Sequence, residues 1–253
     1  MKITFLGTGT SQGVPVIACE CSVCTSPDSR DKRLRVSVLI EDKGKVIVID
    51  SGPDFRYQML RAHVKHLDAI VFTHEHKDHV AGLDDIRAFN YKQQSAMNIY
   101  AHERVLQALS NEFHYAFSEF KYPGVPLLNL HKIDNKPFEV SGIEFIPIEV
   151  MHYKLPVYGF RIGNFTYITD AKTISEAEKE KIKGSEVLVI NALQKENHIS
   201  HFTLEEAISL AKEINAPVTY FTHIGHKMGR HEEILKELPE GIKLAYDGLV
   251  LNL

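Results

Sequence analysis

The stretch "VFTHEHKDHVAG", residues 71–82, places three histidines and an aspartate within six consecutive positions, His74, His76, Asp78 and His79. The run before them, Ala69–Phe72, is apolar and reads as a strand. A strand pleat sends alternate side chains the same way, so His74 and His76 can chelate one ion together. Asp78 and His79 come two positions later, where the chain turns into a helix, and can address a second ion nearby. Imidazole and carboxylate suit Zn²⁺, Mn²⁺ or Fe, and a four- or five-coordinate ion keeps a position for water. Two such ions roughly 3.5–4 Å apart clamp the attacking and leaving oxygens of a displacement at phosphorus.

The same idea recurs along the chain. "EVM" precedes His152, "YIT" precedes Asp170 and "YFT" precedes His223. Four apolar strands, far apart in sequence, each stop at a potential metal ligand, and sites in α/β folds gather where loops leave strand ends. The cluster at 74–79 is therefore expected to be one wall of a site that other strands complete. Histidines without that context (His63, His66, His102, His114 and His131) are expected to be ordinary packed or exposed residues.

Short β-branched runs alternate with helical patterns throughout. "VSVLIE" and "KVIVIDS" flank a turn and read as a hairpin, as do "FEVSGIEFIPIEVMH" and "YGFRIGNFTYITDA", with turns at Gly142 and Gly163-Asn164. "DFRYQMLRAHV" and "VAGLDDIRAF" have helical spacing, and "ERVLQALSNEFHYAF" predicts one long amphipathic helix. In "TLEEAISLAKEI", Thr203 and Glu206 fit a capping box. "VPLLNLHKID" and "HYKLPVY" are expected to be loops facing substrate. The class is α/β, and the hairpins argue against a purely parallel, doubly wound sheet. "GTGTSQG", residues 7–13, has no helix after it and is not a nucleotide loop; its glycines are expected to let the backbone approach the metal pocket closely.

The 253 residues are 44% hydrophobic, and no linker or low-complexity stretch divides them, so one domain over 1–253 is expected. The net charge is −4, from 29 basic and 33 acidic residues, which argues against a surface that coats nucleic acid. The N-terminal apolar run is too short for a signal peptide, and no run has the length of a membrane span. A cytoplasmic protein with no membrane partner is the expectation. Its three cysteines, an odd number crowded into "CECSVC", do not make a disulfide framework. Cys19, Cys21 and Cys24 can instead face one tetrahedral ion, with His226 of "THIGH" as the candidate fourth ligand.

The H-x-H-x-D-H element with the later His152, Asp170 and His223 resembles the metallo-β-lactamase superfamily over nearly the whole chain. That resemblance implies an αββα four-layer sandwich. It also implies one ion on His74, His76 and His152, a second on Asp78, His79 and His223, and Asp170 bridging them. "ITFLGTGTSQGVPV", the C-x-C-x-x-C spacing, "GPDFR", "GLDDIRAFN" and "THIGH" narrow the resemblance to the PhnP family of phosphodiesterases. It implies a structural zinc on Cys19, Cys21, Cys24 and His226, carried by a small loop around 13–35, and suggests a homodimer. His201, directly before the capped helix, matches the family's catalytic histidine, with His198 one turn outside it. The expected activity is cleavage of a small phosphodiester, in which a cyclic phosphate is included. A hydroxide held between two divalent ions (zinc or manganese) would attack phosphorus, Asp78 would orient it, and His201 would assist the phosphoryl or leaving oxygen. A tRNase Z-like nuclease would need an RNA-clamping arm for which no segment is spare. A glyoxalase-II-like thioesterase or a non-catalytic metalloprotein would leave the cysteines and His201 without a purpose.

Overall fold

The computed structural model describes every residue except 119 and 121. The N-terminal half opens with strands β1 (Lys2–Gly7), β2 (Ser37–Asp42) and β3 (Lys45–Ile49), helix α1 (Phe55–Arg61), and strand β4 (Ala69–Val71). Helices α2 (Lys77–Val80) and α3 (Arg87–Gln93), strand β5 (Met97–His102), helices α4 (Glu103–Glu112) and α5 (His114–Phe117), and strand β6 (Leu128–Ile133) follow. The other half comprises strands β7 (Phe138–Val140), β8 (Ile143–His152), β9 (Leu155–Ile162), β10 (Phe165–Tyr167) and β11 (Thr173–Ile174), then α6 (Glu176–Ile182) and β12 (Val187–Asn191). It closes with α7 (Leu204–Ile214), β13 (Val218–Thr222), α8 (His231–Glu237), β14 (Ile242–Leu244) and β15 (Val250–Asn252).

The strands form two mixed sheets, ordered β15-β1-β2-β3-β4-β5-β6 and β11-β8-β9-β10-β12-β13-β14, with β7 paired to β8. Each sheet joins antiparallel hairpins to parallel strands, as the hairpin-rich sequence requires. Alternation along the strands explains how the sheets stack. In β3 and β4, Ile47, Ile49, Ala69 and Val71 enter a core shared with Phe145, Phe160, Phe165 and Val189 of the other sheet. The intervening Val48 and Ile70 face the opposite way, against Phe55, Met59, Leu83, Phe89, Val105 and Leu109 of the helical side. On the second sheet, Leu188 and Ile190 of β12 turn from the central core toward Ala207, Leu210, Ile214 and Ile234. Three cores separate four layers, helices–sheet–sheet–helices, and strands buried on both faces need their near-continuous apolar runs.

The capping box forms as read: Thr203 Oγ1 accepts from Glu206 N, and Glu206 Oε2 accepts from Thr203 N. The long helix over 103–117 does not form. It breaks at Phe113, whose φ of −103° and ψ of 36° leave helical space, so α4 and α5 are separate. Residues 128–133, expected as loop, are edge strand β6, parallel to β5; its polar Asn129, His131 and Lys132 hid it. Residues 152–158 belong to the β8–β9 hairpin, with His152 paired to Leu155. Helix α6, "EAEKEKI", was not legible because it buries only Glu178 and Ile182; its Ser175 cap accepts from Glu178 N. The glycines of 7–13 serve a different approach from the one expected. A Cβ on Gly7 would lie 1.9 Å from the Arg35 carbonyl oxygen, and one on Gly9 would lie 2.8 Å from that of Arg33. They admit the backbone of residues 33–35, not a metal pocket.

Candidate metal centre

The ligand-rich loop leaves β4 and is tied down before the first histidine of its cluster. Asp50, directly after β3 and fully buried, accepts from Thr73 N at 2.9 Å and Thr73 Oγ1 at 2.8 Å. The same carboxylate lies 2.7 Å from His79 Nδ1. Backbones then close on each other. A Cβ on Gly52 would stand 2.0 Å from the Asp78 carbonyl oxygen, and one on Gly82 would stand 2.1 Å from that of Gly52. Only glycine fits at either position, and this contact sets the depth of α2, whose first turn holds Asp78.

The opposite sheet supplies the rest. His152 ends β8, Asp170 follows β10 and His223 follows β13. Asp50, Asp170 and His223 all adopt left-handed backbone, with φ of 63°, 59° and 53°. Non-glycine residues held there carry strain of about 1–3 kcal/mol each, and such strain clusters at functional sites. It turns each side chain off its strand end into the space between the sheets' edges.

The side chains converge. His79 Nε2 lies 3.2 Å from Asp78 Oδ2 and 3.3 Å from Asp170 Oδ2, while His223 Nε2 lies 3.3 Å from Asp170 Oδ1 and 3.7 Å from Asp78 Oδ2. Ring centroids are 4.6 Å apart for His74 and His76, 5.1 Å for His76 and His152, and 4.6 Å for His152 and His201. Three compact donor groups result: His74, His79 and Asp170; Asp78, His79 and His223; and His152, Asp170 and His201. Asp170 belongs to two of them and sits between the halves. His76 is drawn to the site but lies in none of the three, and His201, expected to stand apart from the ligands, lies inside one.

Outer contacts orient the rings. Asp50 engages His79 Nδ1, Thr73 Oγ1 lies 3.0 Å from His74 Nδ1, and His152 Nδ1 donates to the Ser200 carbonyl at 2.9 Å. Each contact turns Nε2 inward, the usual device for presenting an imidazole lone pair to a metal. Among the described residues, His74 Nε2, His79 Nε2, His201 Nδ1 and both nitrogens of His223 are buried without a hydrogen-bond partner. Orphaned buried nitrogens cost about 1–3 kcal/mol each. Several of them aimed at two shared carboxylates describe a cavity built for cations, so the donor set fits divalent metal.

Electrostatics agree. Burial opposes ionisation of Asp78 and Asp170, yet the imidazoles of His79 and His223 hold both carboxyls well below the usual carboxylate range. Burial also works against a charged His79, but Asp170, Asp78 and Asp50 raise its pKa well above normal. Burial and the nearby His79 push His74 far down, and burial with His223 takes His201 down to about 2. Positive charge is thus favoured beside the carboxylates, where an ion would supply it.

The cysteine loop builds a separate cluster. His226 Nδ1 lies 3.2 Å from Cys19 Sγ and 3.5 Å from the sulfurs of Cys21 and Cys24. Val16 N donates to Cys24 Sγ, and Cys24 N to Cys21 Sγ. The Cys24 amide is the main cause of a Cys21 pKa lowered to about 6, whereas burial lifts Cys24 to about 11. Three sulfurs around one imidazole nitrogen fit a tetrahedral ion.

The histidines set aside lie elsewhere: His66 beside Asp68, His131 stacked on Tyr100, and His102 capping α4. The sequence reading passed over Asp50, although "VID" follows the same strand-end rule as the ligands it found. It also missed Glu75, paired at 2.8 Å with Arg104, whose other arm donates to the Pro156 carbonyl and ties the ligand loop to the β8–β9 hairpin. No helix among the described residues is long and apolar enough to cross a membrane.

Comparison with known proteins places this geometry. Residues 45–224 match the β-lactamase superfamily domain. A crystal structure described as a new diphosphatase from the PhnP family is 41% identical and superposes with a TM-score of 0.93 over 100% of this chain and 97% of that one. Zn²⁺-bound PqqB from Methylobacterium extorquens, 21% identical with a TM-score of 0.82 over 100% of both chains, shares the fold. An octanoyltransferase of Porphyromonas gingivalis is 43% identical over 252 residues, 98% of this chain and 51% of that protein. The chain spans about half the length of the curated relatives it matches, so octanoyl transfer describes that longer protein as a whole. The motif order, the four layers and these likenesses agree, and the chain belongs to the metallo-β-lactamase superfamily and, within it, to the PhnP family.

Proposed function

We propose that the protein is a metal-dependent phosphodiesterase acting on a small diester, cyclic phosphates included. The observation that carries the reading is the convergence of buried imidazole nitrogens, none of them in a well-aligned hydrogen bond, on Asp78 and Asp170. His74, His76 and His152 would hold one divalent ion and Asp78, His79 and His223 the other, with Asp170 between them and zinc or manganese as the metal. Such ions supply Lewis-acid charge neutralisation at phosphorus and a water acidified toward neutral pH.

The protein's own groups do the rest. Asp50 keeps the proton of His79 on Nδ1. Asp78 orients the attacking oxygen, and His201, buried and directly before the segment that caps α7, donates a hydrogen bond to a phosphoryl or leaving oxygen. Cys19, Cys21, Cys24 and His226 would hold a structural zinc that pins residues 13–35 to the turn between β13 and α8, as one appendage of a single domain over 1–253. A cytoplasmic homodimer is part of the same reading.

A diphosphate is the second substrate reading, favoured by the description of the 41% identical structure. Chelator-stripped and remetallated protein, assayed on bis(para-nitrophenyl) phosphate and on a nucleoside diphosphate, tests both. Metal-dependent release of nitrophenol supports the diesterase, and metal-dependent phosphate release from the diphosphate alone replaces it. Inactivity of protein shown to hold its metals on both substrates refutes the two readings together.

A further inference from the structure

The mouth of the metal centre has walls that the phosphoryl chemistry does not use. A pocket of about 450 Å³ opens beside His76 and His152, between the β8–β9 turn and the segment that precedes His201. Tyr153, Lys154 and Leu155 line one side, and Ile199 and Ser200 the other. Tyr153 is 52% exposed and Ile199 is 65% exposed. Two large apolar side chains left in water on opposite walls of one pocket, beside the buried His152 and the exposed His76, are the mark of a binding surface.

Two further observations show that the walls are built. The turn between His152 and Leu155 has two residues, and Tyr153 sits in it at φ 57°, a conformation that favours glycine or asparagine. Holding a tyrosine there costs about 1–3 kcal/mol of backbone strain, of the kind that clusters at ligand clamps and active sites. The bond from His152 Nδ1 to the Ser200 carbonyl then stitches this turn to the facing segment, so the contact that orients a candidate ligand also sets the gap between the two walls. Lys154 Nζ lies 5.3 Å from the Tyr153 ring centroid and brings positive charge to the entrance.

We propose that Tyr153 and Ile199 are the walls of a specificity subsite that takes a planar aromatic substituent of the substrate, an aryl ring or a nucleobase, while Lys154 meets its negative charge. The subsite rests on the phosphodiesterase reading. It adds a preference to that reading: aromatic esters over alkyl esters, expressed in KM.

The test keeps one leaving group and varies the other substituent. Metal-loaded wild type, Tyr153→Ala, Tyr153→Phe and Ile199→Ala are assayed on methyl, bis(para-nitrophenyl) and thymidine para-nitrophenyl phosphates, with bound metal measured in each sample. The ratio of kcat/KM for an aromatic ester to that for the methyl ester should fall about tenfold or more in both alanine variants, carried by KM, since each alanine takes away a wall against which the substrate's ring packs. Tyr153→Phe should keep it. A fall confined to the bis-aryl ester assigns an aryl group, and one confined to the thymidine ester a nucleobase. An unchanged ratio in both alanine variants overturns the subsite. If wild type cleaves none of the three, the activity reading fails by itself, and thymidine 5′-phosphate binding by calorimetry decides the subsite: weaker binding to Tyr153→Ala upholds it, and equal binding overturns it.

Discussion

Asp50→Asn removes one charge and almost no volume from a fully buried position, so its effects report on orientation. The carboxylate accepts three bonds, from Thr73 N, Thr73 Oγ1 and His79 Nδ1, at 2.9, 2.8 and 2.7 Å. An asparagine has one carbonyl oxygen and one NH₂. With the oxygen kept for the Thr73 amide, which Oδ1 serves, the NH₂ takes the place of Oδ2. Thr73 Oγ1 can turn to accept from it, but at His79 Nδ1 donor meets donor. The imidazole then moves its proton to Nε2, the atom that lies 3.2 and 3.3 Å from the carboxylates of Asp78 and Asp170. A hydrogen bond to a charged group is worth about 1.5–3 kcal/mol, and hydrogen-bond partners behind ligating histidines account for about 10–100-fold in metal affinity. At about 1.4 kcal/mol per tenfold the two figures agree. The assay is competition for metal against a chromophoric chelator, wild type beside variant, with melting curves of both metal-free proteins as a control for folding. A variant that folds and binds both active-site ions as tightly as wild type would refute the tautomer argument and reduce Asp50 to a structural anchor for Thr73.

Other expectations follow from the same geometry. His201→Ala should keep its metals and lose turnover by about 10²-fold or more, whereas Asp78→Ala should lose metal as well; metal analysis beside kcat separates them. Cys24→Ser should release the ion of the cysteine cluster and lower the melting temperature, and protease nicking in residues 13–35 should report the loosened loop. His231 accepts from Arg33 at 3.1 Å, and burial with that guanidinium lowers its pKa to about 4. Because the unfolded chain takes this proton first, its contribution is full above about pH 6.5 and is lost as pH falls toward 4, up to roughly 3 kcal/mol at about 1.4 per unit. Denaturant titrations from pH 7 to 4 should show a shallower loss for His231→Asn, and equal slopes would remove His231 from the account. Phe160→Ala, in the core between the sheets, should cost about 3–5 kcal/mol in a denaturant titration.

The local parts of this protein were readable in one dimension. His74, His76, Asp78 and His79 share one short loop, and "VFT", "YIT", "YFT" and "EVM" end at ligand-type residues because a strand end is where a side chain escapes the sheet. The alternation of Ile47, Val48 and Ile49 states that both faces of β3 are covered. Segments whose burial is slight were invisible: α6 hides two side chains, and β6 mixes polar residues into an edge strand. The break at Phe113 carries no proline or glycine that could announce it.

What no local pattern contains is which ends meet. His226 reaches Cys19 across 207 positions of chain, Asp50 reaches His79 across 29, and His201 enters a donor group with His152 and Asp170 instead of standing beyond it. Residue type and spacing determine what a side chain is able to bind. The stacking of two sheets, and backbone turned left-handed at Asp50, Asp170 and His223, decide which of those side chains share a centre, because sub-ångström placement comes from packing that the whole chain must complete.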